Sequence, residues 1–294
     1  MTDGRAETVL VLGGGGGRGA AQIGVLRALA ERGIQPDTCV GTSVGALNAM
    51  AVASHPLPRA VDLLEEIWAS PETRAVFRSE LMRVVVNRAR RRPYMRSGRC
   101  ITELVDSALA KIGRRSFAEL ERPLSIILTD LVSGEPVVIS QGDSLRDAMR
   151  ASCAIPGLFP PVVLGERLYV DGGVTENCSL ATAARLNPGR IIAIDLSAGE
   201  GTAAMRRWSE VLDRVMQVAL HSRVVADFDR FSARVPVTLI CLRLNLRRPA
   251  FADFNGIRDA ARQAVDTLLQ SISSDGILAP GVFYVPVSAG EPGA

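Results

Sequence analysis

Thr8-Val9-Leu10-Val11-Leu12, followed at once by Gly13-Gly14-Gly15-Gly16-Gly17-Arg18-Gly19, decides how this chain is read. An unbroken apolar and β-branched run describes a strand buried on both faces, and the glycines force a turn before a helical pattern begins at 19–32. Gly33 then stands where a helix-ending glycine belongs. The unit recurs: Thr38-Cys39-Val40 runs into Gly41-Thr42-Ser43-Val44-Gly45, and 44–54 again has a helical pattern. Strand, glycine turn and helix in that order, twice, is how parallel α/β sheets are built.

The two turns also carry chemistry. At each, the first N–H groups of a helix are unpaired and point outward. A G-x-S-x-G turn sets its serine on a sharp strand-to-helix elbow, because small flanking residues let the backbone bend there. Ser43 is therefore a candidate nucleophile, with Gly41 and Gly45 shaping its elbow, and the glycine run beside it offers N–H donors to an oxyanion.

Further strands are predicted at 124–131, 136–140, 168–170, 190–196 and 237–244, and helices at 58–69, 100–112, 145–151, 180–185, 205–221 and 255–271. No repeat and no long linker interrupts the alternation. The expectation is one domain over 1–294, a three-layer α/β fold with a mainly parallel central sheet and helices on both faces.

Composition narrows the function. With 47% hydrophobic residues the 294-residue chain can fill a sizeable core, and a net charge of +3 argues against a dedicated nucleic-acid binder. Lys111 is the only lysine, so the arginine count reflects a general bias rather than a phosphate site. The five cysteines (Cys39, Cys100, Cys153, Cys178, Cys241) are scattered without a C-x-x-C pair, which fits buried thiols in a reducing compartment better than disulfides or zinc. The polar start, residues 1–8, does not read as a signal peptide, and no stretch approaches the roughly 20 apolar residues of a membrane span. The default is a soluble cytoplasmic protein. Residues 83–99 hold seven arginines (Arg83, Arg88, Arg90, Arg91, Arg92, Arg96, Arg99) beside Tyr94 and Met95. They read either as a basic flap meeting an anionic membrane or, as the favoured reading, as a solvated helix and loop.

A nucleophilic serine needs a base. His55 lies twelve residues past Ser43 on the same predicted helix, about 18 Å away at 1.5 Å per residue. His221 ends the predicted helix 205–221, whose stripe of Met205, Trp208, Val211, Leu212, Val215 and Ala219 reads as core. Asp171 is better placed. It ends the strand 168–170 and opens Asp171-Gly172-Gly173, so its carboxylate projects at the sheet edge where α/β sites assemble. Taken alone, such an Asp-Gly turn is common in loops.

Together the three motifs resemble the patatin-like phospholipase family: a G-G-G-x-R-G loop (Gly14–Gly19), a G-x-S-x-G elbow (Gly41–Gly45) and a D-G-[GA] turn (Asp171–Gly173). Residues 151–161 resemble the family's A-S-x-x-x-P-x-x-F-P-P segment, and the resemblance covers about 8–195. Gly13 departs from it, since many members have aspartate there, and 71–99 matches nothing in it. What the resemblance implies is a Ser43–Asp171 dyad and an oxyanion hole at Gly14, Gly15 and Gly16, with the N–H groups of Gly15 and Gly16 as donors. It further implies an acyl-enzyme on Ser43, Arg18 bracing the loop, and Gly17, Gly19, Gly172 and Gly173 in support. No metal or cofactor is implied, and no metal-ligand set is found. The implied substrate is a lipid or other acyl ester, met through peripheral membrane contact.

Three alternatives stay open. An α/β-hydrolase triad of Ser43, Asp171 or Asp195, and His221 has the right chain order, although its serine should follow more strands than two. A dinucleotide site fits Gly14-x-Gly16-x-x-Gly19, although its acidic partner should end the second strand and Asp37 precedes it. An idle relative, or an acyl transferase or thioesterase using the same dyad, has the same residues.

Overall fold

The structure, a computed structural model, describes residues 7–77, 94–142, 144–199, 208–244, 253–274 and 277–288. In chain order the elements are β1 (Thr8–Leu12), α1 (Ala20–Glu31), β2 (Thr38–Thr42), α2 (Val44–Ser54), α3 (Leu57–Trp68), α4 (Pro71–Phe77), α5 (Arg99–Ile112), β3 (Leu124–Asp130) and β4 (Pro136–Ile139). Then come α6 (Leu145–Ser152), β5 (Val162–Leu164), β6 (Arg167–Asp171), α7 (Leu180–Arg185), β7 (Arg190–Asp195), α8 (Trp208–Phe231), β8 (Val237–Leu244), α9 (Phe254–Ile272), β9 (Ser273–Ser274), β10 (Ile277–Leu278) and β11 (Gly281–Val287).

Six strands form a parallel run in the order β11-β8-β7-β1-β2-β3. β4 and β6 join β3 antiparallel, and β5 joins β6 antiparallel. Side-chain alternation along β1 divides the core. Leu10 and Leu12 face α1, α2, α3 and α9, whereas Val9 and Val11 face α7 and α8. This is the expected mixed, mainly parallel sheet between helical layers. Every residue of α2 is buried, which is why its sequence is apolar all round.

Several expectations change. β2 runs two residues further, to Thr42, and Gly16–Gly19 form a 3-10 turn ahead of α1. Three elements have weak patterns: β5 has three residues, α4 has seven, and β11 contains Pro286. A proline is tolerated in β11 because that strand lies at the sheet edge. α8 does not end at His221 but continues to Phe231, and its apolar stripe is not core. Val211, Leu212 and Val215 are each about half exposed. The helix turns Gln217, His221 and Val224 inward instead.

Candidate active site

Ser43 sits between β2 and α2 at φ 56°, ψ −128°, a left-handed conformation that costs a non-glycine residue roughly 1–3 kcal/mol. Its surroundings hold it there. The Ser43 carbonyl accepts from the N–H groups of Ala46 (2.9 Å) and Leu47 (3.3 Å), starting α2. The Ser43 N–H donates to Ser152 Oγ at 2.8 Å, and Ser152 Oγ donates to the Ile127 carbonyl, also at 2.8 Å. The elbow needs its glycines for space: a Cβ on Gly45 would run into the Leu12 carbonyl, and one on Gly41 would stand 2.5 Å from the Ala46 Cα.

Strand register brings the base to the nucleophile. β4 takes one edge of β3, pairing with Ile126 to Thr129. Along the other edge β2 and β6 follow each other end to end, with Thr42 opposite Ile127 and Asp171 opposite Leu128. The end of β2 therefore meets the end of β6 head-on, and Ser43 Oγ donates to Asp171 Oδ2 at 2.6 Å. Asp171 thus reaches Ser43 from a strand antiparallel to β3, in a sheet that is otherwise mainly parallel.

Asp171 is buried at 6% exposure. Oδ1 accepts from the Gly173 N–H at 2.8 Å, and the Asp171 backbone is pinned through its N–H to Ala154 and its carbonyl to Thr129 Oγ1. Gly172 lets β6 approach β3, since a Cβ there would meet the Ile127 carbonyl. Burial raises the carboxyl pKa to about 6, while the donors from Ser43 and Gly173 hold it down. At neutral pH the group is a carboxylate with more proton affinity than an exposed aspartate has.

The glycine loop lies against the nucleophile: a Cβ on Gly14 would stand 3.1 Å from the Ser43 Cβ. The Gly14 N–H is already engaged, donating to the Asn177 carbonyl at 3.1 Å. Gly14 is thus a spacer within the loop. The described hydrogen bonds assign no acceptor to the N–H of Gly15, nor to that of Gly16, which opens the 3-10 turn with φ +57°. Gly19 packs against Val44 and Trp68, and Gly17 is buried. Arg18 reaches outward to pair with Asp213 at 2.7 Å, tying the loop to α8.

Sequence reading missed two residues here, Ser152 and Asn177. Asn177 Nδ2 donates to the Gly14 carbonyl at 3.3 Å. Ser152 lies within the segment 151–161 already singled out, but no spacing rule shows that its hydroxyl reaches the Ser43 backbone.

Neither histidine serves the serine. His55 Nε2 is 3.0 Å from the Ile112 carbonyl. His221 pairs through Nδ1 with Asp195 Oδ2 at 2.8 Å and through Nε2 with the Tyr284 hydroxyl at 3.3 Å. Asp195 is wholly buried, and its Oδ1 takes the N–H and hydroxyl of Ser197. The Ser43 hydroxyl is partnered by Asp171, whereas His221 is partnered by Asp195 and Tyr284. The dinucleotide alternative fails because Asp37 accepts the Thr8 N–H at 2.7 Å, at the opposite end of β1 from the glycine loop.

One grouping among the described residues was not legible in the sequence. Asp195, His221 and Cys241 bring ligand-type atoms within 4.8 Å of one another, from three elements whose approach no sequence spacing records. Of the arginine-rich segment, Arg83, Arg88, Arg90, Arg91 and Arg92 lie outside the described residues. Arg96 is buried, donates to the carbonyls of Ala75 and Val76, and sits over Phe159, so it is a packing residue. Arg99 is exposed beside Glu103. Among the described residues, no helix is long and apolar enough to cross a membrane.

Residues 10–184 match the sequence model of patatin-like phospholipases. An uncharacterized NTE family protein of Mycobacterium tuberculosis is 31% identical over 198 residues, which are 67% of this chain and 51% of that one. The chain thus spans about half the length of that relative. Patatin-like phospholipase domain-containing protein 7 of Mus musculus is 31% identical over 195 residues, which are 66% of this chain and 14% of that one. Among solved structures, VipD from Legionella pneumophila aligns with a TM-score of 0.41 at 14% identity, over 95% of this chain and 60% of that one. The type III effector protein ExoU aligns with a TM-score of 0.41 at 15% identity, over 90% and 53%.

Proposed function

The chain belongs to the patatin-like phospholipase family, and from that premise we propose that it is a serine hydrolase of lipid acyl esters working through a Ser43–Asp171 dyad. The observation that carries this is the 2.6 Å hydrogen bond from Ser43 Oγ to a buried carboxylate. Asp171 takes the hydroxyl proton as Ser43 attacks the ester carbonyl, then returns it to the leaving alcohol. The acyl group remains on Ser43 until water, deprotonated by the same carboxylate, releases it. The N–H groups of Gly15 and Gly16 receive the oxyanion, and the N-terminus of α2 adds favourable dipole. Arg18, Gly14 and Asn177 hold that loop, and Ser152 holds the strained elbow.

A cleft of about 150 Å³ beside β5, lined by Ile101, Ala154, Phe159 and Val162 and by Arg150, is a candidate seat for part of the substrate. The Ala154 carbonyl in that wall is the acceptor of the Asp171 N–H.

The test is turnover on a panel of phospholipids, lysophospholipids and short p-nitrophenyl esters. Fatty acid release from at least one lipid class is expected. Turnover of the short esters alone would reduce the protein to a hydrolase of soluble acyl esters, and transfer to an added alcohol in preference to water would make it an acyltransferase. His221→Gln, which keeps a donor for buried Asp195, should retain ester turnover within a few-fold. A loss of about 10⁴-fold, the size for a triad member, would return the histidine to the mechanism.

A further inference from the structure

α2 carries only two polar side chains, Asn48 and Ser54. Ser54 Oγ bonds back to its own helix, at the Met50 carbonyl, so Asn48 alone sends polar atoms out of α2. Asn48 is wholly buried, as is Gln22 in the first turn of α1. Their amides meet: Asn48 Nδ2 donates to Gln22 Oε1 at 2.8 Å. Each amide also reaches one end of the glycine loop. Gln22 Nε2 donates to the Gly13 carbonyl at 2.8 Å, where the chain enters the loop, and Asn48 Nδ2 donates to the Gly19 carbonyl at 3.1 Å, where it leaves. Trp68 Nε1, on α3, completes the series by donating to Asn48 Oδ1 at 3.0 Å. Two amides sealed in an apolar layer are high-stakes, because a half-satisfied buried network is worse than an apolar core. Apolar residues would fill this layer more simply; what the amides add is a fixed grip on both ends of one loop.

The series has one direction. An indole N–H can only donate, so Trp68 turns Asn48 Oδ1 toward itself and Asn48 Nδ2 toward the loop. Asn48 Nδ2 then takes Gln22 Oε1, which leaves Gln22 Nε2 for Gly13. Flipping either amide would set donor against donor and acceptor against acceptor. Asn48 also lies four residues past Val44, on the same stripe of α2, and Val44 packs against Gly19. The helix that begins beside Ser43 therefore grips the loop exit at two levels. Between the held ends, the donor peptides are set from behind. Asn177 Nδ2 takes the Gly14 carbonyl at 3.3 Å, and the Arg18 N–H takes the Gly15 carbonyl at 3.2 Å. In a trans peptide C=O and N–H point opposite ways, so these bonds turn the N–H groups of Gly15 and Gly16 to the other side. Five consecutive glycines have great backbone freedom, and their own conformational preferences would not keep those groups aimed.

We propose that Gln22 and Asn48 are positioning residues for the oxyanion site: they fix the glycine loop against the helix that follows Ser43, so that the N–H groups of Gly15 and Gly16 stand where the oxyanion forms. The inference rests on the Ser43–Asp171 hydrolase reading and deepens it. Neither residue touches the reacting atoms. Donors of this kind work because they are aimed before charge develops, and a small misplacement is paid in the transition state rather than in substrate binding.

Kinetics of Gln22→Met and Asn48→Leu on p-nitrophenyl butyrate test it, with active sites counted by fluorophosphonate titration and Met50→Ala as a packing control. Methionine and leucine are close in size to the amides they replace and cannot bond the loop carbonyls. Met50 is fully buried on the same helix, and truncating it opens a cavity without removing a bond to the loop. Both amide variants should lose about 10- to 100-fold in kcat, approaching the effect of one oxyanion donor, with KM within about threefold. A soluble alkyl trifluoromethyl ketone gives a readout that instability does not mimic. Ser43 Oγ adds to its carbonyl carbon, the hydroxyl proton passes to Asp171, and the carbonyl oxygen becomes the oxyanion. The ketone's Ki should rise by the factor by which kcat/KM falls, as for a transition-state analogue. Met50→Ala should keep both within about threefold, however much its thermal melt is lowered. The acid limb of the pH profile should stay in place in all three, because Asp171 keeps its partners. Amide variants with kcat within about threefold of wild type would overturn the proposal. So would lower turnover with an unchanged ketone Ki, or an equal loss in Met50→Ala. Ser43→Ala turning over the ester at the wild-type rate would instead remove the hydrolase reading beneath it, a failure distinct from these.

Discussion

Ser43→Ala is expected to lower ester turnover by about 10⁴-fold or more, to the residual rate that an oxyanion site and substrate binding alone support. The fold should survive, because alanine fits the space that serine leaves and the backbone bonds of the elbow do not involve the hydroxyl. Initial rates on a p-nitrophenyl ester, read beside a thermal melt, separate loss of chemistry from loss of structure. Turnover within about tenfold of wild type would require a different nucleophile.

Asp171→Asn is expected to remove activity on the same scale while making the protein more stable at neutral pH. The sign follows from the pKa of about 6, raised by burial above the ordinary aspartate value of 3.8. Between those values the folded state holds a proton that the unfolded state has released, so stability falls as pH rises through this window. Below it, both states are protonated and nothing is lost. Above pH 6 the full cost applies, about 3 kcal/mol for some two units at 1.36 kcal/mol each. Asparagine carries no such cost. Denaturation at pH 4 and pH 7 should therefore give a variant up to about 3 kcal/mol more stable than wild type at pH 7, with the gap closing at pH 4. A variant no more stable at pH 7 would mean that the carboxylate is not strained by its burial. Wild-type turnover should correspondingly fall below pH 6 as Asp171 becomes protonated.

Much of this site was legible because its parts are local. A glycine run after an apolar strand and a serine flanked by glycines are short-range patterns with a direct steric meaning, and Asp171 announces itself through the glycines that follow it. What brings Ser43 and Asp171 together is not local. It depends on β6 continuing the edge of β3 that β2 leaves at Thr42, a register between strands far apart in the chain. Ser152 and Asn177 were missed for the same reason, because each acts by reaching a backbone group on a distant loop. The helix 205–221 was misjudged differently. An apolar stripe at helical spacing marks a face that avoids water, but the pattern does not say which neighbour covers it. In α8 the inward side is specified by Gln217, His221 and Val224, two of which read as surface residues in isolation.

The central claim is that Ser43 attacks with Asp171 as its only base. Labelling with a fluorophosphonate, followed by intact-mass and peptide mass spectrometry, tests it most directly. One adduct, located on Ser43, should form in the wild type and in His221→Gln at similar rates, form far more slowly in Asp171→Asn, and be absent in Ser43→Ala. An adduct on another residue, or labelling of Asp171→Asn at the wild-type rate, would contradict the account.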